Sequence, residues 1–240
     1  MQTRDLEYDG FNDLLFGSGE DAVVVVPDYH NFTPYALRIA EGFASQGRVG
    51  VMLDLYGDRL LPKTGAEAFQ HAAPLMDDRA SGLKRVQACV EQLRGLGLKR
   101  IVLVGYSCGG AMVLDAARTG MDVDAVASIW GLLQPMSTYP QLMRPVPEHK
   151  VRVLAVQGGR DELATPDTYA SLAVEFNALD LDWQLHLMGK AKHAFTLKEE
   201  DNVEVQSGEH PALLLYDADS EKRVGKLLED FIDEVLAKAA

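Results

Sequence analysis

Residues 101–117, Ile-Val-Leu-Val-Gly-Tyr-Ser-Cys-Gly-Gly-Ala-Met-Val-Leu-Asp-Ala-Ala, constrain this chain more than any other stretch. The apolar run Ile101 to Val104 reads as a buried strand. It ends in Gly105-Tyr106-Ser107-Cys108-Gly109, and a helix-compatible segment from Ala111 to Ala117 follows at once. A G-x-S-x-G turn between a strand and a helix holds its central residue at a strained backbone angle, with the side chain projecting from the end of the sheet. The demand on the neighbours is steric: two positions before and after the central residue there is no room for a side chain. Gly105 and Gly109 meet that demand, and Gly110 allows close packing of the helix. Ser107 is thus the candidate nucleophile. Cys108 is a competing one, because a thiolate is intrinsically stronger. In its register, however, the position two before is Tyr106, which carries the β-carbon that such a turn excludes.

The rest of the chain alternates short apolar runs with helical patterns. Thr3 to Tyr8 and Asn12 to Phe16 read as an opening hairpin around Asp9-Gly10. Ala22 to Val26 is a continuous apolar run, the pattern of a strand covered on both faces. Thr33 to Ser45 has helical spacing, with Thr33 at the N-cap, Pro34 at the first helical position and Gly47 as the stop. Val49 to Leu53 is the next strand. Residues 58–75, broken by Pro62, Gly65 and Pro74, read as a long excursion with one helical turn. Asp77 to Leu96 is an amphipathic helix, Ala125 to Ile129 a strand, and Leu132 to His149 a proline-broken loop along one rim. Val151 to Val156 is a strand, Pro166 to Asn177 a helix and Trp183 to Leu187 a last strand. Ser220 to Ala239 is a helix with Leu227, Leu228, Phe231, Val235 and Leu236 on one face. This alternation implies an α/β fold with a mostly parallel sheet and helices on both faces. No repeat, linker or low-complexity segment interrupts it, so 1–240 is read as a single domain.

Composition narrows the partners. The net charge of −13 argues against nucleic acid and anionic membrane surfaces. No apolar run reaches the length of a membrane span, and the charged N-terminus is unlike a signal peptide. Only two cysteines are present, Cys89 and Cys108, which suggests no disulfide framework and a cytoplasmic location.

A serine hydroxyl is nearly inert at neutral pH and needs a base, which in turn needs an orienting acid. Hydrolases built around this turn, the α/β-hydrolases, place the acid and then the base after later strands. Asp161 is the first carboxylate beyond the strand Val151 to Val156, with Glu162 as the alternative. His193 is the first histidine beyond the strand ending at Leu187. Ser107, Asp161 and His193 therefore form the candidate catalytic set. The oxyanion donors are expected to be the N–H of Cys108, at a helix start, and the N–H of Tyr29, in the loop after the Val run. His30 lies at the same mouth, and Trp130 stands near the rim with Tyr139. His71, His149 and His210 read as solvated loop residues, and His186 as a strand residue. No metal-ligand spacing, dinucleotide fingerprint or phosphate loop occurs, so no metal and no cofactor are expected.

At this point the chain resembles the dienelactone hydrolase family of α/β-hydrolases. Asp54-Leu55-Tyr56-Gly57 is similar to its D-L-Y-G signature, and Gly105 to Gly110 to its elbow. Gly158 with Asp161 is similar to its G-x-x-D turn, and His193-Ala194-Phe195 to its H-A-F. The resemblance implies a sheet of about eight strands and a cofactor-free hydrolase of small ester or lactone substrates. The chain departs from the family's lactonases in carrying Ser107 where they have a cysteine, and Asp28 where they have a glutamate. Arg59, Arg79, Arg144 and Arg160 are candidates, by location, for the arginines that bind a substrate carboxylate. Asp28, His30, Arg79 and Trp130 are the candidate substrate contacts. A serine hydrolase working through an acyl-enzyme, as monomer or homodimer, is the expectation. The alternatives are the same machinery turned to a thioester or peptide, and a non-catalytic binding module.

Overall fold

The computed structural model describes residues 1–138, 147–208 and 216–237. Tyr139, Arg144 and His210, named above, lie outside the described residues. The opening hairpin pairs β1 (Thr3–Tyr8) with β2 (Phe11–Phe16) in antiparallel register, and Asp9 and Gly10 turn it at positive φ. The remaining strands are β3 (Asp21–Val26), β4 (Val49–Met52), β5 (Arg100–Tyr106), β6 (Ala125–Ile129), β7 (Arg152–Gly158) and β8 (Trp183–Met188). They form one 8-stranded sheet in the order β1-β2-β4-β3-β5-β6-β7-β8. The sheet is parallel from β4 to β8, and β2 joins it antiparallel to β4.

Helices cover both faces, so the central strands have no solvent face. The Val run shows the consequence: Val24 and Val26 pack into one core, while Val23 and Val25 pack into the other. The first core faces α3 (Arg79–Gly95), α4 (Cys108–Thr119) and α5 (Pro166–Ala178). The second faces α1 (Pro34–Ser45) and the last helix, Ala218–Leu236. Thr33 caps α1 by accepting the Ala36 N–H at 3.2 Å, and Pro34 occupies its first turn. On the last helix Val224, Leu228, Phe231, Ile232 and Leu236 are buried at helical spacing, whereas Leu227 and Val235 are only partly buried.

The largest departure from the sequence reading is a helix. Within the expected excursion the chain forms α2 (Gly65–Asp77), 13 residues long. Thr64 caps it by accepting the Glu67 N–H at 3.1 Å, and Glu67 accepts the Lys63 N–H at 2.8 Å. Pro74 lies in the last turn, where its missing N–H removes one bond but does not end the helix. Only Ala68 and Ala72 of α2 are buried, so its apolar stripe is too narrow to show as periodicity. His71 is accordingly a helical residue, its ring 5.4 Å from that of Tyr56. His149 is not merely solvated either, since its Nε2 lies 2.8 Å from the Val123 carbonyl. A four-residue helix, α6 (Val203–Gln206), precedes the last helix, α7 (Ala218–Leu236).

Candidate active site

The C-terminal ends of the parallel strands meet at one edge of the sheet, and the candidate residues arrive there from different strands. Ser107 follows β5 and stands at the N-cap of α4 with φ 50° and ψ −115°. Such a conformation costs of order 1–3 kcal/mol for a residue with a side chain. The surroundings enforce it: the Ser107 carbonyl accepts the Ala111 and Leu132 N–H groups, each at 3.2 Å. A β-carbon on Gly105 would lie 2.3 Å from the Gly109 carbonyl oxygen. One on Gly109 would lie 2.3 Å from the carbonyl oxygens of both Val26 and Pro27. The two glycines are thus required by the close approach of the elbow to itself and to the end of β3.

Ser107 Oγ lies 3.0 Å from His193 Nε2, and His193 Nδ1 lies 2.8 Å from Asp161 Oδ2. All three side chains are buried. Asp161 is anchored from two further sides: Gln157 Nε2 donates to Oδ2 at 3.1 Å, and the Leu163 N–H donates to Oδ1 at 2.9 Å. Gln157 also donates to the Gly131 carbonyl at 2.9 Å, while its own Oε1 is buried without a partner among the described residues. In the loop carrying His193, Ala194 reverses the chain at φ 53° and Phe195 is fully buried as its anchor. The neighbouring Glu162, the alternative acid, is exposed.

Cys108 begins α4, where an N–H has no intrahelical acceptor. Neither its N–H nor that of Tyr29 donates to another of the described residues. The Cys108 side chain turns away, with Sγ 4.0 Å from the Pro27 carbonyl. Burial, reinforced by the nearby Asp28 carboxylate, pushes its thiol far above the usual range. Asp28 itself accepts the His30 N–H at 2.8 Å, closing the turn that presents Tyr29. The Tyr29 hydroxyl donates to Glu204 of α6, and the Tyr56 hydroxyl donates to the Tyr29 carbonyl at 2.9 Å. His30 is buried against the Tyr29 ring, and its Nε2 has no hydrogen-bond partner among the described residues.

The turn after β3 is fixed from behind by residues outside the sequence-derived set. Asn31 stands at φ 60°, and its amide oxygen accepts the Leu55 N–H at 2.9 Å. Its Nδ2 donates to Asp54 at 3.0 Å and to the Leu60 carbonyl at 2.9 Å. Asp54 also accepts N–H bonds from Gly57 at 3.1 Å and Arg59 at 2.9 Å. The D-L-Y-G segment is therefore the brace of this turn, and Asp54 is the sequence signal that points to it.

These contacts bring Ser107, His193 and Asp161 together at the ends of β5, β7 and β8. The sequence model of the dienelactone hydrolase family matches residues 15–236. The chain belongs to the dienelactone hydrolase family. It is a carboxylic ester hydrolase of that family, on an α/β-hydrolase fold. Among its relatives is a probable 2-oxo-3-(5-oxofuran-2-ylidene)propanoate lactonase from a Bradyrhizobium species. The two are 26% identical over 189 residues, 72% of this chain and 73% of the relative. Carboxymethylenebutenolidase 1 of Cupriavidus pinatubonensis is 27% identical over 173 residues, 67% of this chain and 71% of the relative. Two solved structures share the fold across 98% of both chains at 24% identity. They are m3DLH, with a TM-score of 0.83, and a dienelactone hydrolase-like promiscuous phosphotriesterase from metagenomic libraries, with 0.82.

Two of the candidate substrate contacts are corrected by their surroundings. Arg79 is buried and forms an ion pair with Asp115 that ties α3 to α4, so its guanidinium is committed to the interior. Trp130 is only 1% exposed, its ring packed against those of Tyr106 and His193, so it is a buried side chain rather than a surface open to substrate. Arg59 is engaged by Asp5 and Asn12 at the hairpin, at 2.5 and 2.6 Å. Arg160 is exposed beside Asp161. Among the described residues no helix is long and apolar enough to cross a membrane, and no group of three or more His, Cys, Asp or Glu side chains could hold a metal ion.

Proposed function

We propose that this family member is a serine hydrolase that cleaves small ester or lactone substrates through an acyl-enzyme on Ser107. The observation that carries this reading is the unbroken chain from Ser107 Oγ to His193 at 3.0 Å and on to Asp161 at 2.8 Å. His193 Nε2 takes the hydroxyl proton as Oγ attacks the carbonyl carbon, and Asp161 holds the Nδ1–H tautomer and stabilises the imidazolium. The tetrahedral oxyanion is received by the N–H groups of Cys108 and Tyr29, with the α4 dipole in support. The imidazolium then protonates the leaving alkoxide, leaving the acyl group on Ser107. Water, deprotonated by the same imidazole, releases the acid and restores the hydroxyl. In a lactone the leaving alkoxide stays tethered to the acyl chain, so one product leaves only after the second step.

The reading is tested by p-nitrophenyl esters from acetate to octanoate together with a fluorophosphonate label. The wild type and Cys108→Ala should hydrolyse the short esters and take the label, because position 108 contributes only its backbone N–H. Ser107→Ala should do neither. Labelling that persists in Ser107→Ala, or a folded but inactive Cys108→Ala, would transfer the nucleophile to Cys108 and overturn the proposal.

A further inference from the structure

Nucleophile and base leave the sheet from β5 and β8, strands with β6 and β7 between them. Between them stands Trp130, the first residue beyond β6. Its ring centroid lies 5.5 Å from that of Tyr106, the residue preceding Ser107, and 5.2 Å from the His193 imidazole, edge to face. Its backbone stands at φ 39°, held by donation of its N–H to the Val156 carbonyl at 2.8 Å. One further bond fixes the ring: the indole N–H donates to Thr196 Oγ1 at 2.8 Å. Thr196 is buried in the loop that carries His193, and its hydroxyl also lies 2.7 Å from the Tyr35 hydroxyl on α1. An indole nitrogen can only donate, so the Thr196 oxygen is its acceptor, and a buried indole without one is penalised.

We propose that Thr196 is a positioning residue for the base. By accepting the Trp130 indole N–H it locks the ring that spaces His193 from the elbow, and so sets the separation of His193 and Ser107. The proposal rests on the reading of those two residues as base and nucleophile. Thr196 acts through Trp130 and touches no reacting atom, so its loss falls on kcat rather than KM. A misplacement of the base by about 1 Å can cost as much as ~10²-fold.

The test is a set of variants in a Trp183→Phe background, which leaves Trp130 as the only tryptophan of the chain. Protonated imidazole quenches a neighbouring indole, so the pH titration of Trp130 emission reports on His193 directly. Thr196→Val should lower kcat by about 10- to 100-fold with KM within about twofold, and should weaken the acid quench. Thr196→Ser, which keeps the hydroxyl, should retain kcat within about threefold. In a Trp130→Phe background, where the indole N–H is gone, Thr196→Val should cost no further kcat, although in either background it deprives the Tyr35 hydroxyl of this partner. If Thr196→Val does not fold, Thr196→Ala carries the same expectations. Wild-type kcat in the hydroxyl-free variant overturns the proposal. So does an equal loss with and without the Trp130 indole, or a Thr196→Ser as impaired as the valine. An active Ser107→Ala or His193→Ala would remove the reading beneath the proposal, and the proposal with it.

Discussion

Replacing Asp161 with asparagine changes no volume but leaves one acceptor and one NH2 where two carboxylate oxygens stood. The carboxylate accepts from three donors: His193 Nδ1 at 2.8 Å and Gln157 Nε2 at 3.1 Å on Oδ2, and the Leu163 N–H at 2.9 Å on Oδ1. With its carbonyl facing His193, the asparagine sets its NH2 against the Leu163 N–H, donor to donor. With the amide reversed, Leu163 is satisfied but the NH2 faces Nδ1. The imidazole proton then moves to Nε2, where it opposes the Ser107 hydroxyl instead of accepting its proton. Gln157 can follow this reversal, because its Oε1 has no partner among the described residues and can turn to receive the NH2. Its bond to Gly131 is the cost of that rotation. The reversed state is therefore the accessible one, and it is the wrong tautomer. In either orientation the charge that stabilises the imidazolium is also lost. We expect kcat to fall by about 10³–10⁴, about 4 to 5.5 kcal/mol in the barrier, with KM within a few fold. Steady-state hydrolysis of p-nitrophenyl acetate, with thermal unfolding to verify the fold, measures both. A loss below about tenfold in a folded variant would refute the assignment of Asp161 as the orienting acid. A change confined to KM would mean that Asp161 meets the substrate instead.

Gly109→Ala places a β-carbon 2.3 Å from two backbone oxygens that cannot yield, and should destabilise by about 3 kcal/mol or more, read as a lower urea midpoint with acylation lost. Arg85→Ala strands the buried Asp13 carboxylate that it pairs with, and should cost about 3–5 kcal/mol in the same assay. Burial, with Asp13 beside it, holds the Cys89 thiol well above its ordinary range. The folded state therefore keeps a proton that the unfolded state gives up above pH ~8.5, so this stability is complete below that pH and declines above it. Cys89→Ala should remove part of the decline in urea midpoint between pH ~8.5 and ~10, and an unchanged slope would show that the thiol is not its source. Native Cys108, only 4% exposed and with its thiol pushed up by burial, should resist iodoacetamide at neutral pH, and fast alkylation by mass spectrometry would contradict its packing.

Those features of the protein that are written in consecutive residues were legible without coordinates. The elbow is one, because strand, glycine-flanked turn and helix follow one another from Ile101 to Ala117. The parallel sheet is another, since strands covered on both faces must be apolar at every position, as in Ala22 to Val26. The order Ser107, Asp161, His193 was legible for a related reason: each side chain stands just past the end of its own strand. The helix α2 was not, although it is local. Its buried stripe is two alanines, and Pro62 and Pro74 look like breakers until the second is seen in a final turn.

What only the tertiary structure decided is which distant side chains share one bond. Arg79 and Asp115 are 36 residues apart, Trp130 and Thr196 are 66 apart, and Tyr35 and Thr196 are 161 apart. No spacing announces such pairs, because they are made by the order of strands in the sheet. The same arginine would bind a substrate carboxylate if it faced the mouth, yet here it serves as a buried tie between two helices. The chemistry of the candidate site was therefore written locally. The support that holds it in place is set by long-range packing, where a residue's role depends on what the fold brings against it.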